Sequence, residues 1–410
     1  MPAPEVLRAQ TTPECGALIE SGLANLPFVP RRHNAFTDSI REKLILTNNP
    51  SFSGSEIVFT FEKQSTLLED IALLMTPPPL NIPGSTYARY IDYLGIGCIR
   101  EVIWKYGGNT IQTYYPDQMY EKIIRKTIEH RENVDKLLLG NLSAAQRNTY
   151  ALAPTEVRVT IPTPWEDLLC HSPLICGLAN KLTLTVRLQD SAAIIQSDGV
   201  KPFQIQWQNI HLDYQAIHTT GEVRQNFVAL TLTPEGLSYL VDDPQIINVQ
   251  IPANYFTSIS KFGIELKDFD GPVPNMTVFV RETQALTPTS PNPAPYEFDT
   301  TYIENMQYEL KSNNMNLFDP SIVSQDDIRQ TDKFWPCLYT TEAVTLNWSE
   351  FPTAENTSSG LLAFGNFTNP TLTLRNPSLN GNHPELTVTV IAHTYNWDIQ
   401  QGGNYQKVWR

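Results

Sequence analysis

Two runs of strict apolar alternation, one in each half of this 410-residue chain, limit what it can become. In the first, Leu182, Leu184, Val186 and Leu188 alternate with Thr183, Thr185 and Arg187; in the second, Leu386, Val388 and Val390 alternate with Thr387 and Thr389. A period of two belongs to a strand that buries one face of its sheet. Each run needs its own sheet and an opposing layer, and the length exceeds what one hydrophobic core usually serves. Two β-rich domains of comparable size are the expectation.

The remaining segments are consistent with short strands and long loops, with 31 prolines against 6 methionines. Val58, Phe59 and Phe61, residues 67–75, residues 98–105 and residues 110–115 read as strands, the last two bracketed by Gly95, Gly97, Gly107 and Gly108. Val157, Val159 and Ile161 alternate with Arg158 and Thr160. One clear two-sided helix is predicted after Pro116, with Asp117 placed to cap it and Tyr120, Ile123, Ile124, Ile128, Val134, Leu137 and Leu138 at helical spacing up to Gly140. The polar stretch 191–202 reads as a linker. Beyond it Phe203, Ile205 and Trp207 share one face, and the apolar phase then slips to Ile210, Leu212 and Tyr214, which predicts a bulge near Gln208 and Asn209. Met276, Val278 and Val280 alternate again, followed by a Pro-rich loop at 288–295 and helical candidates at 301–310 and 321–329. The expected organisation is an arm at 1–54, a first β domain at 55–190, the linker, and a second β domain at 203–410.

Composition excludes several function classes. A net charge of −14 opposes a surface that tracks a nucleic-acid backbone, a job that needs clustered cations. The five cysteines (Cys15, Cys98, Cys170, Cys176 and Cys337) contain no CxxC pair, so neither a disulfide framework nor a zinc knuckle is indicated. Residues 1–10 lack the basic start and apolar core of a signal segment, and no apolar run approaches membrane-spanning length. The expectation is a chain neither secreted by a standard signal nor anchored.

The chemistry-bearing residues read as structural. The seven histidines match neither a cupin metal site nor an HExxH helix. Cys170 and His171 are adjacent, which on a strand points them to opposite faces, a poor geometry for a nucleophile and its base. Asp268 to Gly271 opens like a calcium loop but lacks the later ligands, and a solvated turn is expected. Asp242 with Asp243, and Asp326 with Asp327, are neighbours in sequence without being set across a scissile bond. Sequons at Asn141, Asn275, Asn347, Asn356 and Asn366 are expected to stay unmodified for the most part. No catalytic, cofactor or metal residues are assigned, and no cofactor is expected.

Four stretches carry a resemblance to a known family. They are Arg31-Arg32-His33-Asn34-Ala35-Phe36 with Ser39-Ile40; residues 157–188 with Pro164-Trp165 and Ser172-Pro173-Leu174-Ile175; residues 360–374 with Gly365-Asn366-Phe367 and Asn369-Pro370-Thr371-Leu372; and residues 386–405 with Tyr395-Asn396 and Gly402-Gly403. In this order they resemble landmarks of the double jelly-roll major capsid proteins of nucleocytoplasmic large DNA viruses, virophages and Polinton-like elements. Glu166-Asp167 departs from the pattern, since many relatives continue apolar there. The resemblance implies a mostly β chain of two tandem eight-stranded antiparallel jelly-roll sandwiches with short helical insertions. It implies a structural, non-enzymatic subunit of homotrimeric, pseudo-hexameric capsomers in the icosahedral capsid of a double-stranded DNA virion. Its partners would be further copies of itself and minor capsid or penton proteins. Arg31, Arg32 and His33 would be inner-face contacts of the arm, toward an internal membrane, a minor capsid protein or the genome. Two other readings stand beside it: a carbohydrate-binding or viral fibre β-sandwich, which would use the tryptophans, and a β-sandwich carbohydrate hydrolase, for which no motif selects a carboxylate pair.

Overall fold

The computed structural model describes residues 37–407 apart from 46–51, 125–127, 166–174, 318–322, 325–341, 349–361, 377–382 and scattered single positions. Eight strands make a first sandwich. Thr37–Ile45, Gln208–Thr219, Leu67–Thr76 and Val157–Thr160 form one sheet in that spatial order, and Glu56–Thr60, Leu182–Leu188, Ile99–Tyr106 and Asn109–Tyr114 form the other. Every pairing is antiparallel. In order along the chain, the strands sit as first, eighth, third, sixth and as second, seventh, fourth, fifth.

The second sandwich repeats this plan. Gln245–Ile251, Leu386–His393, Asn275–Glu282 and Ala343–Asn347 form one sheet, and Lys261–Glu265, Pro370–Arg375, Gln307–Ser312 and Met315–Asn316 the other. With the two-residue strands Pro272–Val273, Val323–Ser324 and Leu362–Ala363 set aside, the same two spatial orders return. The molecule is a jelly roll built twice, from halves that share pattern but no evident sequence repeat. Closed between its sheets, each sandwich holds a core. The first centres on buried Trp104, stacked on Phe61 at 5.7 Å and meeting Trp165 edge-on at 5.6 Å. The second packs Val278, Val280, Leu372, Leu374, Val388 and Val390, all inaccessible to solvent, with the buried aromatics Tyr308 and Phe364.

Strand positions follow the sequence pattern closely, while strand partners do not. Thr37–Ile45 falls inside the expected arm, yet it is an edge strand paired along its length with Gln208–Thr219. That second strand was expected in the second domain, and its ladder with Leu67–Thr76 places it in the first. The stretch 191–202 is no free linker: Ile194, Ile195, Gln196 and Ser197 are buried, and Ile195–Ser197 pairs with Ala88–Tyr90. Its polar residues have internal partners, since Gln196 Nε2 donates to Pro293 O at 2.8 Å and Ser191 Oγ to Pro202 O at 2.6 Å. The bulge is present: the register shifts between Gln208 and His211, and Asn209 takes a positive φ of 53°. Phe203 departs from its expected face and is 92% exposed, while Ile205 and Trp207 are buried.

Helices differ too. The long one is described as two segments, Pro116–Ile124 and Ile128–Leu138. The candidate at 301–310 is one helical turn, Thr301–Glu304, followed by the strand Gln307–Ser312, because Tyr308 and Leu310 enter the core at a period of two. Of 321–329, Val323–Ser324 is strand and the rest lies outside the described residues. Ala144–Leu152 is a helix that periodicity did not reveal, although Ser143 and Gln146 form the reciprocal capping box that marks such a start.

Candidate functional site

Nothing among the described residues gathers a metal-ligating cluster of three or more His, Cys, Asp or Glu side chains. Arg31, Arg32, His33, Cys170, His171, Asp326, Asp327 and Asn356 lie outside the described residues. Burial pushes the thiols of Cys98 and Cys176 up, away from the reactive thiolate. Gly271 N bonds Asp270 Oδ1 at 2.7 Å in a turn, with Asp268 and Asp270 both exposed. Of the sequons, Asn275 lies opposite Asn347 in a sheet ladder and is buried, whereas Asn141 and Asn366 are exposed. The chemically distinctive place is the seam between the two sandwiches.

The seam grows from one helix and one sheet face. Pro116 opens the helix Pro116–Ile124, where a missing N–H costs nothing, and Gln118 Oε1 accepts the Tyr115 N–H at 2.8 Å. Tyr120, Ile123 and Ile124 join the first core. The opposite flank carries Asp117, Gln118 and Glu121, and an amphipathic helix would normally turn such residues to water. Here Gln118 and Glu121 are buried. They meet the outward face of the second sandwich's sheet, on which Thr277, Phe279 and Arg281 alternate with the core residues Met276, Val278 and Val280.

Each polar group on this flank has a partner across the seam. Asp117 takes Arg281 in a two-point pair, Oδ1 from Nη1 at 2.8 Å and Oδ2 from Nη2 at 2.6 Å. Arg281 Nη2 also donates to Thr389 Oγ1 at 2.9 Å, and Thr389 Oγ1 to Asn248 Oδ1 at 2.7 Å. Glu121 receives Thr277 Oγ1 at 2.7 Å on one oxygen and sits 2.6 Å from His393 Nε2 with the other. Gln118 Nε2 donates to Pro244 O at 3.0 Å. Burial works against the Arg281 cation, but the Asp117 carboxylate outweighs it and holds the guanidinium above its usual range. Asp117 is therefore no N-cap: it sits in the first turn and is taken up by the pair.

Apolar groups complete the join. Phe279, Ala343 and Ile391 project from the second sandwich's sheet into the first core. Tyr120 stacks on Tyr296 at 4.8 Å and on Phe298 at 5.4 Å, and the Arg281 guanidinium lies 5.8 Å from the rings of both Phe279 and Phe298. The chain's last strands make a second join. Tyr395–Gln401 pairs with Leu237–Asp242 and with Asn404–Lys407, and Tyr405 packs against Trp165 and Tyr106 of the first sandwich. Trp165 Nε1 donates to Tyr405 Oη at 2.7 Å, and Tyr405 in turn donates to Asp398. Burial pushes the Asp398 carboxyl up from 3.8 to about 6, against the opposing effect of the Tyr405 hydrogen bond.

No protein-family model and no curated protein matches the chain. Solved structures do match its fold. The Faustovirus major capsid protein superposes with a TM-score of 0.66 at 10% identity, covering 98% of this chain and 99% of that one. PBCV-1 VP54, fitted into a reconstruction of the virophage Sputnik, gives a TM-score of 0.65 at 15% identity over 93% of this chain and 100% of that one. A chain of the Sputnik virophage structure gives 0.56 at 10% identity, covering 93% and 90% respectively. The double jelly roll expected from the sequence is thus the fold of these proteins.

Two outcomes follow from the seam. Replacing Asp117 by Ala leaves the buried Arg281 guanidinium without its carboxylate and should cost about 3–5 kcal/mol in urea unfolding. Combined with Arg281→Met, the double variant should lose less than the two single losses added, by about 1 kcal/mol or more; strict additivity would show that the pair is not coupled. For Asp398, the folded chain keeps a proton between pH 3.8 and about 6 that the unfolded chain has lost, so stability falls as pH rises through that window. Asp398→Asn should therefore be more stable than the parent near neutral pH, on the order of 3 kcal/mol, with the gap closing below about pH 4 in thermal melts.

Proposed function

We propose that this chain is a major capsid protein, the structural subunit of trimeric, pseudo-hexameric capsomers in the icosahedral shell of a double-stranded DNA virus. One observation carries the reading. The same eight-strand sandwich is built twice and fixed side by side, so three chains about a three-fold axis offer six similar sandwiches and an outline close to six-fold. The Faustovirus major capsid protein and the PBCV-1 virus capsid, whose quasi-atomic model matches at a TM-score of 0.63 and 15% identity, lend support through their shared fold.

In this reading the role is structural rather than enzymatic and the place of action is the virion. The polar groups buried at the seam pair with one another across it and hold two bodies together. The partners are further copies of the chain and minor capsid or penton proteins. The arm, through Arg31, Arg32 and His33, would face an internal membrane or the genome. The division into domains follows the ladders, with the first jelly roll over 37–219 and the second over 245–393. Light scattering tests the proposal: three chains of 46.3 kDa give about 139 kDa, with a hexagonal outline in negative stain. A well-folded monomer at capsid-like concentrations would sink it.

A further inference from the structure

The dipeptide Asp-Gly occurs twice in this chain, at Asp198-Gly199 and at Asp270-Gly271. In such a pair the glycine nitrogen, with no side chain to hinder it, can attack the side-chain carboxyl carbon of the preceding aspartate and close a five-membered imide. Water reopens that ring at either carbonyl, giving back aspartate or leaving isoaspartate, whose main chain runs through the side-chain carbons. In a folded protein the outcome depends on whether the two reacting groups are held apart or together. At Asp198 they are held apart. Its Oδ1 accepts the Thr86 N–H at 2.9 Å and its Oδ2 the Thr86 hydroxyl at 2.5 Å, while Gly199 N donates elsewhere, to Ser197 Oγ at 3.0 Å. The Thr86 hydroxyl holds the Asp198 carboxyl below the usual carboxylate range, and an ionised carboxylate is a poor target for a nucleophile.

At the second copy the reacting groups face each other. Asp270 is exposed, and its Oδ1 accepts the N–H of Gly271 itself at 2.7 Å, which sets the attacking nitrogen against the carboxyl. Gly271 takes a positive φ of 79°, a conformation that suits a residue without a β-carbon. Two further bonds brace the turn: Asp270 N donates to Gln245 Oε1 at 2.9 Å, and Phe364 N donates to Gly271 O at 3.1 Å. The ring would consist of Cα, Cβ, Cγ and C of Asp270 with N of Gly271. Both braces use atoms outside it, so closure need break neither.

The geometry points to Asp270-Gly271 as a site of spontaneous isomerisation to isoaspartate in the folded protein, a modification independent of the capsomer reading. The bond from Gly271 N to Asp270 Cγ forms, the carboxyl C–OH bond breaks, and the hydroxyl leaves as water with the amide proton. One water then adds at the Asp270 main-chain carbonyl carbon and breaks its bond to Gly271 N. The mass is unchanged, and no oxidant, reductant or cofactor takes part. The product carries one more main-chain carbon between two anchored residues. Phe269 is buried edge-on to Phe364 at 6.0 Å, and Val273 is buried where Pro272–Val273 pairs with Leu362–Ala363. The longer link pushes Gly271 O away from Phe364 N and loosens this short ladder at the rim of the second sandwich.

The test ages the folded full-length chain in mildly acidic buffer made with heavy-oxygen water, then maps its peptides by mass spectrometry with electron-transfer fragmentation, which separates the two linkages. Asp270 should gain isoaspartate and heavy oxygen at least about tenfold faster than Asp198, a ratio that a small difference in barrier supplies. In urea the two sites should label at similar rates, because unfolding removes the bonds that set them apart. Deamidation at Asn380-Gly381, outside the described residues, is told apart by its change in mass. Asp270→Glu, which would need a six-membered ring, should stay unlabelled at that position. The position is exposed, so fresh wild type and variant should melt alike, and aged wild type should melt below the aged variant. Equal labelling of Asp198 and Asp270 in the folded chain, or label at neither, overturns the inference.

Discussion

Asp117 and Arg281 come from different sandwiches, and without the half-buried Asp117 the Arg281 guanidinium would be an uncompensated charge in the interior. Their two-point pair, extended through Thr389 to Asn248, fixes both distance and angle between a helix of the first jelly roll and a sheet of the second. An apolar contact alone tolerates sliding, whereas a bidentate carboxylate pair has one geometry. Glu121, bonded to Thr277 and His393, repeats the constraint one helical turn away. The rest of the architecture depends on this join, because it holds the two sandwiches in one fixed relation.

The seam also explains a chemical oddity of the second sandwich. Along Leu386–His393 every residue is buried, although its Thr-Val alternation is that of a strand with one wet face. Val388 and Val390 fill the second core, while His393 meets Glu121 of the first sandwich's helix and Thr389 braces Arg281, which pairs with that helix at Asp117. Buried polar groups of this kind add little net stability when satisfied and cost several kcal/mol when orphaned. Their contribution is specificity: a shifted docking would leave Glu121 and Arg281 without partners. The terminal strands act in the same sense, closing Tyr405 over Trp165.

Strand existence was legible in the sequence because a period of two is a local property, as Leu182–Leu188 and Leu386–His393 demonstrate. Strand partnership was not, because nothing local tells Gln208–Thr219 that it pairs backward with Leu67–Thr76. The seam was invisible for a related reason. Thr277, Thr345 and Thr389 carry the same signature whether they face water or a second domain, and Asp117, Gln118 and Glu121 look like the solvated side of any amphipathic helix. The one clue was that Glu121 and Asp117 lie four apart with Gln118 between them, forming a continuous polar stripe on a helix otherwise suited to a core. Phe203 failed in the opposite direction: alternation with Ile205 and Trp207 assigned it to a buried face, and the loop's own hydrogen bonds turn it outward.

If the seam makes one body of two sandwiches, they should melt together. Scanning calorimetry of the intact chain, at a concentration where it is monomeric, is the direct measurement. A single transition whose calorimetric and van't Hoff enthalpies agree is the predicted result. Two separate transitions, one for each jelly roll, would contradict the claim that buried polar pairing binds the sandwiches into a rigid unit.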